Sequence, residues 1–536
     1  MADRECCTYV ARMSDDLLGK VQKAYAFDGP AVELGALVVD NEAHPEARVR
    51  LPLAMMNRHG LVAGATGTGK TKTLQVIAEQ LSTAGVPVFL ADIKGDLSGI
   101  SAPGQATDRT TARAKDVGDT GWTAAASTAQ FFALGGLGTG VPVRTRVTSF
   151  GPVLLAKVLS LNDTQSSSLN LVFHYADQAG LDLDDIADLR AVMTYLVSDD
   201  GKADLKQLGG LSAATVGVIL RELVGFEDQG ADAFFGEPEF DTTDFLTTTP
   251  DGKGVVSVLE LAAVQDKPAL FSSFLMWLLA DLFHDLPEVG DLDKPKLVFF
   301  FDEAHLLFHD ASKEFLDSIA QTVRLIRSKG VGVFFVTQNA TDITDEVLGQ
   351  LGNRVQHALR AFTPDDAKAL KKTVSTFPKT SYDLEELLTA LGIGEAIVTV
   401  LSETGAPTPV AWTRLRPPQS LMAAVDPAQL QQQVAASPLS ARYATRTNDE
   451  SAAEKLAARE AALQQAAAPA TPAAQAPESE QRAPDRGMTE GGAAGAAAGI
   501  LASPVFKSFA RAAASAAGRE ITRSIFGTAP RRRRRR

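Results

Sequence analysis

The sequence predicts an α/β protein with a mostly parallel central sheet, an inserted helical subdomain and a disordered or helical C-terminal tail. Three observations support this class. An apolar run over 59–63 passes through Gly-Ala-Thr-Gly-Thr-Gly-Lys-Thr at 64–71 into a helix-spaced run over 73–83. A second run, Lys-Leu-Val-Phe-Phe-Phe at 296–301, stops abruptly at Asp302-Glu303-Ala304-His305. A third, 331–337, is almost wholly apolar and ends in Gln338-Asn339, the pattern of a strand buried on both faces.

The elements follow in order. Residues 1–30 read as a polar, mobile lead-in, and 32–39 with 49–53 as two strands around a turn at 41–45, at the edge of the sheet. After the 73–83 helix, 86–91 reads as a buried strand leading into Asp92-Ile93-Lys94-Gly95-Asp96. Such residues at a strand's C-terminal end suit a ligand site in an α/β sheet, and a plain exit turn equally well. The stretch 101–140, rich in Gly, Ala, Thr and charge, reads as a long surface excursion with short elements, followed by a strand over 144–150. Apolar spacing then turns helical over 154–246, as in Val216, Ile219, Leu220, Leu223 and Val224. Strand character returns over 254–259, and 270–282 is an apolar helix set against the sheet. A helix over 312–329 carries Leu316, Ile319, Ala320, Val323 and Ile326 on one face, ahead of the 331–337 strand. A helix starting at 347–350, a strand over 354–362, a helix over 364–373 and a closing strand over 395–401 complete the core.

The resulting division is 1–30 lead-in, 31–153 first part of the core, 154–250 helical insertion, 251–416 second part of the core, 417–467 helical extension, 468–490 disordered linker, and 491–536 Ala/Gly-rich basic tail. Within the extension, 431–467 is rich in Ala, Gln and Glu with helix spacing and is expected to project as a helix or short coiled coil.

The first motif is a complete phosphate-binding loop and points to a nucleoside triphosphate. Gly64, Gly67 and Gly69 let the backbone curl so that N–H groups face phosphate oxygens, and the following helix presents its positive end. The segment Gly64, Ala65, Thr66, Gly67, Thr68, Gly69, Lys70, Thr71 and Lys72 is the candidate cradle. Lys70 is expected on the β- and γ-phosphates, and Thr71 on magnesium. Asp302 is the second candidate for holding magnesium, and Glu303 the candidate that orients or deprotonates the attacking water. Gln338 is placed to sense the γ-phosphate through that water. ATP and Mg2+ are the expected cofactors.

Composition narrows the setting. The chain has 536 residues, 45% of them hydrophobic, enough for a sizeable core. Asp281 ends the apolar run 268–280 short of the roughly 20 residues a membrane span needs, and no charged-then-apolar leader opens the sequence. A cytoplasmic location is expected. Cys6 and Cys7 are adjacent, which suits neither an ordinary disulfide nor a zinc site. The formal charge of −13 conceals a split, because residues 501–536 carry ten Lys/Arg and one Glu. An acidic body argues against a broad nucleic-acid surface, while a narrow basic pore in an oligomer leaves no mark on net charge. Phe506, Phe509, Ile521, Ile525 and Phe526, interleaved with Lys507, Arg511, Arg519 and Arg523, suit an amphipathic helix for a membrane surface or partner. The closing run Arg531 to Arg536 suits a polyanion, whether nucleic acid, anionic lipid or the acidic body itself.

NRHGLVAGATGTGKTKT at 57–73, ADIKGD at 91–96, LVFFFDEAH at 297–305, VRLIRSKGVGVFFVTQN at 323–339 and LGQLGNRVQHALRAFTP at 348–364 together resemble the HerA/FtsK-like hexameric ATPases, most closely the bacterial HerA-like proteins of the YjgR type. The resemblance covers roughly 30–415. It implies a RecA-like core in which Glu303 lies on the strand adjacent to the phosphate loop's. It also implies a homo-oligomer, a hexamer, with ATP at subunit boundaries and an arginine supplied by the neighbour. Arg327 is the preferred candidate, then Arg324 and Arg354. One departure is plain: only about 60 residues precede the loop, too few for the family's N-terminal β-barrel. The implied activity is ATP-driven translocation of DNA, helicase-like. The alternative is an ATP-driven assembly or remodelling factor acting on protein or at a membrane surface.

Overall fold

Short runs that are apolar at every position need cover on both sides, and a sheet between two helical layers supplies it. The computed structural model describes residues 16–205, 209–290, 292–308, 313–448 and 450–467. Its strands are β1 (Ala31–Val39), β2 (Glu42–Pro52), β3 (Gly60–Ala63), β4 (Val88–Asp92), β5 (Ala129–Leu134), β6 (Val141–Val143), β7 (Val256–Glu260), β8 (Leu297–Phe301), β9 (Val331–Thr337), β10 (Asn353–His357), β11 (Glu395–Thr399) and β12 (Ala411–Leu415). They form one 12-stranded sheet in the order β2-β1-β12-β11-β10-β3-β9-β8-β4-β7-β5-β6. From β10 to β6 neighbours run parallel, whereas β11, β12, β1 and β2 extend the sheet antiparallel.

Alternation along a strand sends side chains into two separate cores. Val298 and Phe300 of β8 join Val62, Leu90, Val336 and the helix Lys70–Thr83, through Leu74, Ile77 and Leu81. Phe299 and Phe301 join Phe89, Phe335 and the helices Pro268–Asp285 and Lys313–Ile326, through Phe274, Trp277, Ile319 and Val323. Deleting a buried phenylalanine such as Phe299 would cost about 3–5 kcal/mol. The strand that carries the acids is therefore clamped from both faces.

Several expectations are corrected. Glu303's strand is not adjacent to that of the phosphate loop, because β9 lies between β3 and β8. The stretch 101–140 does carry short elements, but one of them is buried rather than on the surface. It contains the helix Asp108–Asp116 and then β5, whose Phe131, Phe132, Ala133 and Leu134 are buried beside β7. Only six residues long, β5 is stabilised by a partner more than a hundred residues away, so its Gly/Ala/Thr-rich flanks dominate the local pattern. Residues 144–150 are not a strand; Val147–Phe150 is a helical turn. The Glu239 carboxylate accepts hydrogen bonds from Thr145, Arg146 and Ser149 and so draws the chain away from the sheet. β11 does not close the sheet, since β12 and the β1–β2 hairpin continue it.

Helices fill the connection between β6 and β7, notably Asp163–Ala179, Ile186–Val197 and Ala213–Asp228, with Val216, Ile219 and Leu223 buried as expected. The helical extension packs rather than projects. In the helix Ala452–Ala467, Ala452 and Leu456 are buried, and Ser451 Oγ and the Ala453 N–H both donate to Asp188 of the insertion. The lead-in is also partly packed, with a helix over 16–24 and Tyr25 buried, its hydroxyl donating to the carbonyls of Val398 and Pro409. The linker and basic tail lie outside the described residues. Among the described residues no helix is long and apolar enough to cross a membrane.

Candidate functional site

The C-terminal tips of β3, β9, β8 and β4, neighbours in the sheet, carry the predicted chemistry side by side. From β3 the chain enters the loop Gly64 to Gly69, and Lys70 opens the helix. The loop's shape depends on glycine at two points. A Cβ on Gly64 would lie 2.5 Å from His357 Cβ, and Gly69, the helix N-cap, has φ 114°. The loop is pinned from outside: Gly64 N–H donates to Thr337 O, Ala65 N–H to Ala358 O at 2.8 Å, and Gly394 N–H to Thr68 O at 3.0 Å. Thr68 Oγ1 donates back to Ala65 O, which makes its hydroxyl a brace. Thr66 and Gly67 are exposed at the crest, and Thr71 and Lys72 sit partly buried in the first turn. The first helical N–H groups have no intrahelical acceptors and face the loop's concavity. Lys70 Nζ, nearly buried, donates to Gly64 O at 2.7 Å and so lies across the cradle.

β8 delivers the two acids. Asp302 is 2% exposed; its Oδ1 accepts the Glu303 N–H at 3.0 Å, while its Oδ2 is buried without a hydrogen-bond partner among the described residues. Burial, then the charge of Glu303, push the Asp302 carboxyl up to about 7. A buried anionic oxygen with no donor is costly in isolation, and a divalent cation would satisfy it. Glu303 turns through φ 47°, a left-handed conformation uncommon outside glycine, and its side chain is nearly buried. Its Oε1 pairs with Lys94 Nζ, and its Oε2 lies 3.2 Å from His305 Nδ1. Burial raises the Glu303 carboxyl, but the bond and charge of Lys94, then His305 and Lys70, outweigh it and hold Glu303 ionised.

Lys94 was legible only as part of a polar strand exit. Asp92 shapes that exit: its carboxylate accepts the N–H groups of Gly95, Asp96 and Leu97, and Gly95 takes φ 73°, so the turn carries Lys94 over Glu303. His357, at the end of β10, was not singled out by the sequence. It is wholly buried, its Nε2 lies 2.9 Å from Thr73 Oγ1, and burial followed by the Lys70 charge lowers it to about 3, so it packs neutral under the loop.

Gln338 follows β9 directly, between the loop and the acids and partly exposed. Arg327 lies elsewhere. It opens the turn Arg327–Lys329 before β9, at the opposite edge of the sheet from Gln338. A strand of that length spans roughly 20 Å. Arg324 is exposed on the preceding helix. Arg354 donates to the carbonyls of Leu351, Thr376 and Leu348, which makes it a brace.

A family model described as helicase HerA-like C-terminal matches residues 38–535. The chain belongs to that family. With the phosphate loop, Asp302 and Glu303 assembled at one sheet edge, this HerA-like protein is a phosphate-loop ATPase with a RecA-like core. Among solved structures it is similar to the plasmid coupling protein TrwB in complex with ADP and Mg2+, at 16% identity and TM-score 0.51, covering 76% of this chain and 94% of that one. TrwB with the GTP analogue GDPNP gives the same identity and coverage with TM-score 0.50. VirB4 of Thermoanaerobacter pseudethanolicus is 15% identical with TM-score 0.44, covering 75% of this chain and 99% of that one. No curated protein matches the chain.

Proposed function

We propose that this HerA-like chain forms a homohexameric ring in the cytoplasm and couples magnesium-dependent ATP hydrolysis to movement of nucleic acid. One observation carries the ring: Arg327 stands roughly 20 Å of strand away from its own loop. That separation supports a role at the site of a neighbouring copy, where an arginine supplied in trans is worth about 10³–10⁵ in rate. TrwB, whose fold this chain shares, is described as a coupling protein and was captured with ADP and Mg2+.

In the proposed reaction, Lys70 exchanges the Gly64 carbonyl for the β- and γ-phosphates. Thr71 and Asp302 would hold magnesium, which screens phosphate charge and polarises the γ-phosphoryl group. Glu303 accepts a hydrogen bond from the attacking water and orients it in line, and Gln338 fixes that water from the next strand tip. Lys94 holds Oε1, whereas Oε2, 3.2 Å from His305 Nδ1, has no hydrogen-bond partner among the described residues and is the oxygen left to accept from the water. The helical insertion over 154–250 and the basic tail over 491–536 are the proposed docking elements.

The acidic composition, pI ≈ 5.2, favours a second reading, an ATP-driven remodelling factor acting on protein or at a membrane. The ring is tested by mixing. Arg327→Ala and Glu303→Gln chains, each inactive alone, should regain hydrolysis in mixed assemblies, at boundaries that pair an intact Glu303 with an intact Arg327. No recovery in assemblies verified as mixed would overturn the shared site.

A further inference from the structure

A groove of about 500 Å³ opens where the turn between β1 and β2 meets the helix Leu384–Ala390. Leu17, Val38 and Leu387 give it apolar surface, and Tyr382 and Trp412 add aromatic surface. Trp412 Nε1 donates to Glu395 at 3.1 Å, which holds the indole in place. The charged residues of the lining are Asp40, Asp383 and Glu386, with no lysine, arginine or histidine beside them among the described residues. Glu42 and Glu385, close to the lining in sequence, are exposed as well. Three other clefts each carry a cation: one beside Gly69 and Lys72, one around Lys157, and one around Lys294 and Lys296. The cations nearest this groove in sequence do not cancel its charge. Arg414 is engaged by Glu395 and Asp116, Lys20 pairs with Asp16, and Lys379 is one charge against five acids.

We infer that this groove takes the arginine run Arg531–Arg536 of the same chain, so that a polyanion reaches the tail only by drawing it off the body. This pairing is independent of the ATPase reading. Charge matches first: six guanidinium groups meet a groove whose charged lining is wholly acidic. The chemistry of the lining matches next. A guanidinium is planar and weakly hydrated, and it lies against the face of Trp or Tyr while its N–H fork bonds a carboxylate. The carboxylates have capacity to spare: Asp383 caps its helix through Oδ1 alone, accepting the N–H groups of Glu385 and Glu386, and the Glu386 carboxylate has no hydrogen-bond or ion-pair partner among the described residues. Reach is sufficient, since residues 468–530, when extended, span roughly 200 Å, well over the diameter of a body this size. Residues 1–15 start closer, beside Leu17, but carry Arg4 and Arg12 against Asp3, Glu5 and Asp15, so charge does not draw them in.

The test is photocrosslinking of the full-length chain with p-benzoylphenylalanine in place of Ala390 or, separately, of Ser381, both exposed residues of the groove, followed by mass spectrometry of the joined peptides. At low salt the label should join residues 525–536 of its own chain, as read in a mixture of chains carrying light and heavy nitrogen. The yield should fall about fivefold or more in about 0.5 M salt. Asp383→Asn combined with Glu386→Gln keeps the helix cap, because Asn caps as well as Asp, and should lower the yield by about fivefold. Replacing Arg531–Arg536 by glutamine should abolish the crosslink, and inorganic polyphosphate added to the parent should suppress it. Crosslinks from both positions to residues 1–15, to the tail of a neighbouring copy or to nothing would overturn the inference. So would a yield that ignores both sets of substitutions, or one that polyphosphate leaves untouched.

Discussion

Glu303→Gln is the sharpest perturbation of the proposed chemistry. The substitution removes one negative charge and the proton-accepting oxygen and preserves shape. Glu303 is nearly buried, with Lys94 on Oε1 and His305 Nδ1 3.2 Å from Oε2, and an amide oxygen still accepts from Lys94, so the local structure should hold. General-base assistance of this kind is worth about 10²–10⁴ in rate. That corresponds to roughly 3–5 kcal/mol of barrier. In the proposed reaction binding rests on other groups: Lys70 over the cradle, Thr71 in the first turn, and Asp302, whose raised proton affinity owes more to burial than to Glu303. Single-turnover hydrolysis should therefore slow by about a hundredfold or more while ATP affinity stays within about threefold. Rapid quench with radiolabelled ATP and calorimetry on the same preparation measure the two quantities. Hydrolysis within about threefold of the parent would remove Glu303 from the chemistry. A parallel loss of binding would make it a structural residue.

Two further outcomes are expected. Lys70→Ala removes the ammonium that lies across the loop, and ATP binding or turnover should be abolished; full turnover, read by phosphate release, would mean that the loop is misread. Glu260, at the tip of β7 and 8% exposed, is pushed up to about 8 by burial and then by Asp92 and Asp96. A carboxyl that holds its proton more tightly folded than unfolded stabilises the fold at low pH and loses that contribution as pH rises from about 4.5 toward 8. The loss approaches ~1.4 kcal/mol per pH unit. Glu260→Gln should narrow the drop in Tm between pH 6 and pH 9, and an unchanged drop would contradict the assignment.

What the sequence disclosed depended on contiguity. The loop from Gly64 to Thr71 is a single run whose chemistry and conformation are written locally, and the same holds for the tip of β8, where an apolar strand stops at Asp302. Lys94 was half-legible: its position at a strand exit marked a ligand edge, but its pairing with Glu303 joins residues far apart in sequence and depends on β4 lying beside β8. His357 carried no signal, because its role is to fill space under Gly64. The cleft beside Gly69 and Lys72 was invisible for the same reason, since its walls come from four separated segments. Pairing of β5 with β7 and the crossing of β9 between β3 and β8 are also properties of strand order, and periodicity along a strand carries no information about its neighbours. The family resemblance supplied the trans arginine as an idea, and the sheet supplied the reason that Arg327 acts at a distance or not at all.

The central claim is that ATP turnover at this sheet edge drives movement of nucleic acid. It is tested most directly by steady-state hydrolysis with and without double- and single-stranded DNA at two salt concentrations, for the full chain and for the chain lacking residues 487–536. Marked stimulation by DNA that weakens steeply with salt and survives loss of the tail is expected. Intact basal turnover with no response to either DNA would contradict translocation and favour a protein or membrane substrate.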